Sequence, residues 1–153
     1  MRVDTPISRQ LAGNVAVYEF VEHTADIRLR VRGAVLGDLF RAALDGMNAY
    51  MFGEEAGVAG IHGEVLAREE VRISAADTTD LLVAWLARGL FLSSVHRAAT
   101  RVGAIDAITP TEVRATIEVV RAEPREEIKA VTYHGLTVEN TATGYEAVIT
   151  FDI

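Results

Sequence analysis

Two stretches of this chain alternate between apolar and polar residues, and they constrain the fold more than anything else in it. Ala25, Ile27, Leu29 and Val31 alternate with Asp26, Arg28, Arg30 and Arg32. Near the other end, Tyr145, Ala147, Ile149, Phe151 and Ile153 form a second row with a spacing of two. That period fits a strand with one face on a core and one face in water. Each strand then carries an aspartate, Asp26 or Asp152, on the face that does not meet the core.

The rest of the chain divides at clear signals. Leu36, Phe40, Ala43, Met47 and Tyr50 or Met51 recur at three- and four-residue steps, which predicts an amphipathic helix from about Val35 to Met51. Gly53, Gly57 and Gly60 mark the loop after it. Val65 to Ser74 reads as a strand with Val71 and Ile73 inward. Asp77-Thr78-Thr79-Asp80 supplies oxygen-bearing side chains for the free amides of a helix start. That second helix carries Leu81, Leu82, Trp85, Leu86 and Leu90 and should stop near Val95 or His96. Further strands are expected over Val102 to Ile108, Val113 to Val120, and around Leu136 and Val138. Pro110 and Pro124 act as breaks and Thr143-Gly144 as a turn. The expected class is α+β: one domain with a mostly antiparallel sheet of about six strands and two amphipathic helices packed on it. Residues 1–14 are expected to form a flexible leader and residues 15–153 the domain.

Composition narrows the chemistry. Half of the 153 residues are apolar, enough for a sizeable core. The formal charge of -7 argues against a protein that grips nucleic acid alone, because such binding relies on Lys and Arg at phosphates. With no cysteine, disulfides, thiolate metal sites and a Cys nucleophile are excluded. No secretory signal pattern and no membrane-length apolar run is present, so the expected setting is cytoplasmic with no membrane partner. Walker loops, nucleotide-binding glycine fingerprints, HExxH and GxSxG are all missing.

Each candidate residue has two readings. Asp26 is either an outward carboxylate paired with Arg28 or Arg30, or part of a cation site with His23 and Thr24, which precede it. Asp152 is either an ordinary polar strand residue or, beside the terminal carboxylate of Ile153, one of two anions that a cation would relieve. Oxygen ligands favour calcium, magnesium or manganese over zinc. Lys129 is a surface lysine or a phosphate neutraliser, and Tyr133 and His134 mark a strand end or a site before Gly135. His62 and His96 have no acidic or histidine partner at metal-ligand spacing and are read as non-functional.

Four segments together resemble the archease family. Glu22-His23-Thr24-Ala25-Asp26-Ile27 looks like its N-terminal motif, and Asp80-Leu81-Leu82-Val83 with Trp85-Leu86 its second-helix motif. Glu127-Ile128-Lys129-Ala130-Val131-Thr132-Tyr133-His134-Gly135-Leu136 resembles its longest signature, and Phe151-Asp152-Ile153 its closing tripeptide. Ala84 and Arg88-Gly89 depart from the helix motif, which typically has acidic or polar residues there. The resemblance implies a non-catalytic, metal-binding activator of an RtcB-type tRNA-splicing ligase that promotes the ligase's guanylylation and multiple turnover. RNA and GTP would then be engaged only through the ligase. It implies metal ligation by Asp26, Asp152 and Ile153, calcium being the first choice of cation, with His23 a weaker ligand. Lys129, His134 and Tyr133 become the ligase-activating candidates. Two rival readings use the same residues differently: a stand-alone metal-dependent phosphoesterase or nucleotide hydrolase, and a chaperone-like scaffold that acts through its surface.

Overall fold

The computed structural model describes residues 7–10, 16–22, 26–54 and 63–153. Among these the chain forms β1 (Ile7–Gln10), β2 (Ala16–Glu22), β3 (Asp26–Gly33), α1 (Leu36–Phe52), β4 (Val65–Ser74), α2 (Thr78–His96), β5 (Ala99–Thr109), β6 (Glu112–Val120), β7 (Ala130–Thr132), β8 (Val138–Thr141) and β9 (Gly144–Asp152). The class is α+β with antiparallel pairing, as the patterning predicts. The strands exceed the expected six and divide between two sheets. A larger sheet runs β1-β2-β3-β9, with β7 and β8 both on the far edge of β9, and a smaller one runs β4-β6-β5. β1 lies within the stretch expected as a leader.

The two alternating stretches become adjacent central strands. β3 and β9 pair antiparallel with Ile27 opposite Phe151, Leu29 opposite Ile149 and Val31 opposite Ala147. These six side chains are all buried. Slipping either strand by one residue would turn its apolar row to solvent, so the core itself sets this register.

Helix α1 fills the space between the sheets. It packs on β2 and β3 on one side and on β5 on the other. The expected apolar stripe is therefore wider than one face: Ala42, Asp45, Gly46, Asn48 and Ala49 are buried as well. Gly46 explains the closeness on the β3 side. A Cβ there would sit 2.7 Å from both methyls of Leu29 and 3.1 Å from the ring of Tyr18. On the β5 side both polar atoms of the buried Asn48 amide are partnered. Its Nδ2 donates to Leu44 O and Thr100 Oγ1, and its Oδ1 accepts from Thr100 N at 2.8 Å. A buried amide placed this way costs nothing in unmade hydrogen bonds.

Helix α2 begins as expected, with the Asp77 carboxylate accepting from the amide of Asp80 at 2.8 Å. Its indole anchor, Trp85, donates to the carbonyl of Phe40 at 2.9 Å and joins the two helices. Gly89 lets them close up, since a Cβ there would be 2.5 Å from a Leu44 methyl. Arg97 then ends the helix in a left-handed conformation, φ 51°.

Among the described residues, Asp45 is the one buried carboxylate. Burial pushes its pKa up to about 7, and nearby Arg41 only partly offsets the rise. The unfolded chain ionises such a group near 4. Between those values the folded state holds the extra proton, so stability falls as pH rises through that window and is flat above it. Asp45→Asn removes the decline. Urea denaturation at pH 4, 6 and 8 should show the variant gaining on the parent chain as pH rises, by on the order of a few kcal/mol at pH 8. A constant difference between the two chains at all three pH values would contradict this account.

Candidate metal centre

The β3–β9 register has a polar consequence. Asp26 opens β3, Asp152 closes β9, and the two are direct cross-strand partners. Because Ile27 and Phe151 point into the core, both aspartates point outward on the same face. Side chains so placed have Cβ atoms roughly 4.5–5.5 Å apart, and like charges at that distance destabilise the pair. Asp152 is also partnered by Ala130 on its other side, so it lies between β3 and β7.

Asp26 shows a second sign of unmet chemistry. Its Oδ1 is buried and has no hydrogen-bond partner among the described residues. It also makes no ion pair with Arg28 or Arg30. Arg30 is engaged instead by Glu19 at 2.7 Å, and Arg32 by Glu146 at 2.8 Å. A carboxylate oxygen held out of water without a partner is costly. Two opposed carboxylates, one with a free buried oxygen, fit a hard cation that takes its remaining ligands from backbone carbonyls and water. No three His, Asp or Glu side chains among the described residues converge closely enough to hold a metal ion by themselves.

The other candidates separate into two places. Lys129 lies beside the aspartate pair: its backbone amide donates to the Asp152 carbonyl at 2.7 Å. Its side chain is exposed and forms no ion pair with either aspartate. Ile153 is half-buried and packs against the core. Tyr133 and His134 lie further along, in the turn after β7. Tyr133 is 58% exposed, and its carbonyl accepts from the Leu136 amide. The His134 carbonyl accepts from Thr150 Oγ1 at 3.4 Å, two residues before Asp152. His134 and Gly135 line a recess with Arg28, Arg30, Val148 and Thr150. The aspartate pair is not among its walls. His23 and His62 lie outside the described residues. His96 ends α2, where a basic side chain suits the negative end of the helix dipole.

Sequence reasoning missed the arginines as a group with His134. The period-two pattern already placed Arg28 and Arg30 on the face of Asp26. Only the pairing of β9 with both β3 and β7 brings them near the 133–135 turn.

Comparison with known proteins decides the family. The Archease protein family matches residues 18–153. The chain belongs to the archease family. Protein archease of Methanosarcina mazei is 33% identical over 146 residues, covering 89% of this chain and 95% of the relative. Protein archease of Archaeoglobus fulgidus is 32% identical over 146 residues, covering 89% and 98%. The solution structure of protein 1598 from Methanobacterium thermoautotrophicum superposes with a TM-score of 0.71 at 24% identity, covering 89% of this chain and 98% of that one. A crystal structure from Thermotoga maritima, described as an archease and possible chaperone, superposes at 0.61 with 21% identity, covering 87% and 94%. The archease match thus includes both aspartates and the whole 127–136 segment.

The opposed carboxylates can be tested without any ligand. In the presence of chelator, Asp152→Asn should be more stable than the parent chain by about 0.2–1 kcal/mol, because it removes a like-charge cross-strand pair. Thermal unfolding in EDTA is the measurement. A clear loss of stability would mean that the Asp152 carboxylate is satisfied in some other way.

Proposed function

We propose that this archease is a metal-binding activator of an RtcB-type RNA ligase in the cytoplasm, promoting the ligase's guanylylation and multiple turnover in tRNA splicing or RNA repair. The observation that carries this reading is the register pairing of Asp26 with Asp152, with one Asp26 oxygen buried and unpartnered. Asp26, Asp152 and the backbone of Ile153 would hold the cation. All-oxygen ligation suits calcium first, with magnesium or manganese as substitutes. Bound there, a divalent cation supplies positive charge that can neutralise and orient phosphate oxygens.

The protein's own residues do the rest. The β3–β9 pairing sets the two carboxylates opposite each other at the ends of two core strands. Lys129 is tied by its backbone to Asp152 and has an exposed side chain, and it would meet the ligase or its nucleotide. Tyr133 and His134, on the turn that follows, are secondary contacts of the same kind. The chain is not itself the catalyst, and GTP and RNA are engaged through the ligase. Among the described residues no helix is long and apolar enough to cross a membrane.

A specific feature favours a second reading, that of a scaffold acting through its surface. Phe91 and Val95 are 60% and 61% exposed one turn apart on α2. One experiment separates the two. Multiple-turnover ligation by a cognate ligase is measured with Asp26→Ala, Asp152→Ala, Lys129→Ala and the double variant Phe91→Ser/Val95→Ser, each checked for folding. The metal reading expects the first three to lose about ten-fold or more, which is the weight of a single strong polar contact in a transition state. Full turnover in those three with loss in the α2 variant selects the scaffold.

A further inference from the structure

The recess beside the 133–135 turn has a chemistry that the aspartate pair does not share. Its volume is about 280 Å³ and its walls are Arg28, Arg30, His134, Gly135, Val148 and Thr150. Three neighbouring arginines occupy the outward row of β3, but they are not used alike. Arg32 and Arg30 each meet a glutamate, while Arg28 forms no ion pair among the described residues. Glu19 engages Arg30 through Nη1 only, which leaves donors of a group that has five. The recess therefore holds one uncompensated guanidinium and one partly compensated guanidinium. An imidazole and a hydroxyl adjoin them.

The backbone keeps this place open. Arg28 is the cross-strand partner of Thr150, and Thr150 is in turn the partner of Thr132 on β7. The Thr150 and Thr132 hydroxyls bond to the His134 carbonyl and amide, and so fix the turn over the recess. Gly135 then takes φ 66°, and a side chain added there would meet open space. Val148 is the one apolar side chain in the walls of the recess.

We infer that the Arg28–Arg30–His134 recess binds a phosphate group, as inorganic phosphate or as the terminal phosphate of a nucleotide. Planar guanidinium forks match the tetrahedral oxygens of phosphate and give paired, charge-assisted hydrogen bonds. The competing field comes from the same strand. Asp26 is two residues from Arg28, roughly 7 Å along the strand, and Asp152 is its partner. Removing one of those negative charges should therefore tighten anion binding. The inference is independent of the ligase reading, because it concerns a free ligand and this chain alone.

Isothermal titration of the whole chain in EDTA, with inorganic phosphate and with GTP, tests it at low ionic strength. His134 ring resonances, followed by NMR, report on the place of binding. The expected result is binding of at least one probe with movement of the His134 resonances. Arg28→Gln should weaken it about ten-fold or more, as for one lost charge-assisted contact, and Asp152→Asn should strengthen it a few-fold. Arg28→Lys, which keeps the charge and loses the fork, should also bind more weakly and guards against a folding defect in the first variant. Equal affinity for the two probes would identify the isolated phosphate group as the ligand, and tighter GTP binding a nucleotide. Either supports the inference. Absence of binding by both probes at millimolar concentration, or affinity unchanged in both Arg28 variants, overturns it.

Discussion

The interlocking of Ile27, Leu29 and Val31 with Phe151, Ile149 and Ala147 is the contact on which the rest depends. It joins strands near opposite ends of the chain, so the loop it closes is nearly the whole domain. Loop closure of that size is paid back only by burying several large side chains together. The same contact brings Asp26 opposite Asp152. The polar site is thus a by-product of apolar packing: wherever the core register holds, two carboxylates face each other. Local conflicts of this kind are expected at functional or strained sites.

A second layer of organisation comes from α1. A helix touching two sheets needs buried surface around most of its circumference, and this one achieves it with small residues and one amide. Gly46 admits Leu29 and Tyr18, and Asn48 reaches β5 through Thr100. The buried Asp45 is the exception, and it makes the helix sensitive to pH where Asn48 is not. The difference lies in charge. An amide satisfied by three hydrogen bonds is neutral at every pH, whereas burial makes the Asp45 carboxyl favour its proton up to a pH of about 7.

Much of this fold was legible in the sequence because its strands and helices carry uniform periods. β3, β6 and β9 alternate cleanly, β4 does so only at Val71 and Ile73, and α1 and α2 show three- and four-residue spacing. β5 runs past the expected Val102 to Ile108 at both ends, and bulges between Val102 and Ala104 and between Ile105 and Ala107 break its alternation. β7 is only three residues long, and its pairing with β9 leaves no period to detect. The division into two sheets was hidden for another reason: the α1 stripe marks one buried face, while small residues such as Ala42 and Ala49 hide the other. At the candidate site, the sequence placed Asp26 and Asp152 on outward faces, and long-range register supplied their meeting. It could not separate Lys129 from His134, five residues apart, because the turn after β7 carries one away from the aspartates and towards the arginines.

Gly89 carries a consequence for whatever meets α2 from solvent. Its inner side lies against Leu44, and Trp85 one turn earlier is hydrogen-bonded to the first helix. Phe91 and Val95 therefore project from a rail that has no room to recoil. A visiting surface would find those two side chains already in position, with little chain entropy left to lose on contact.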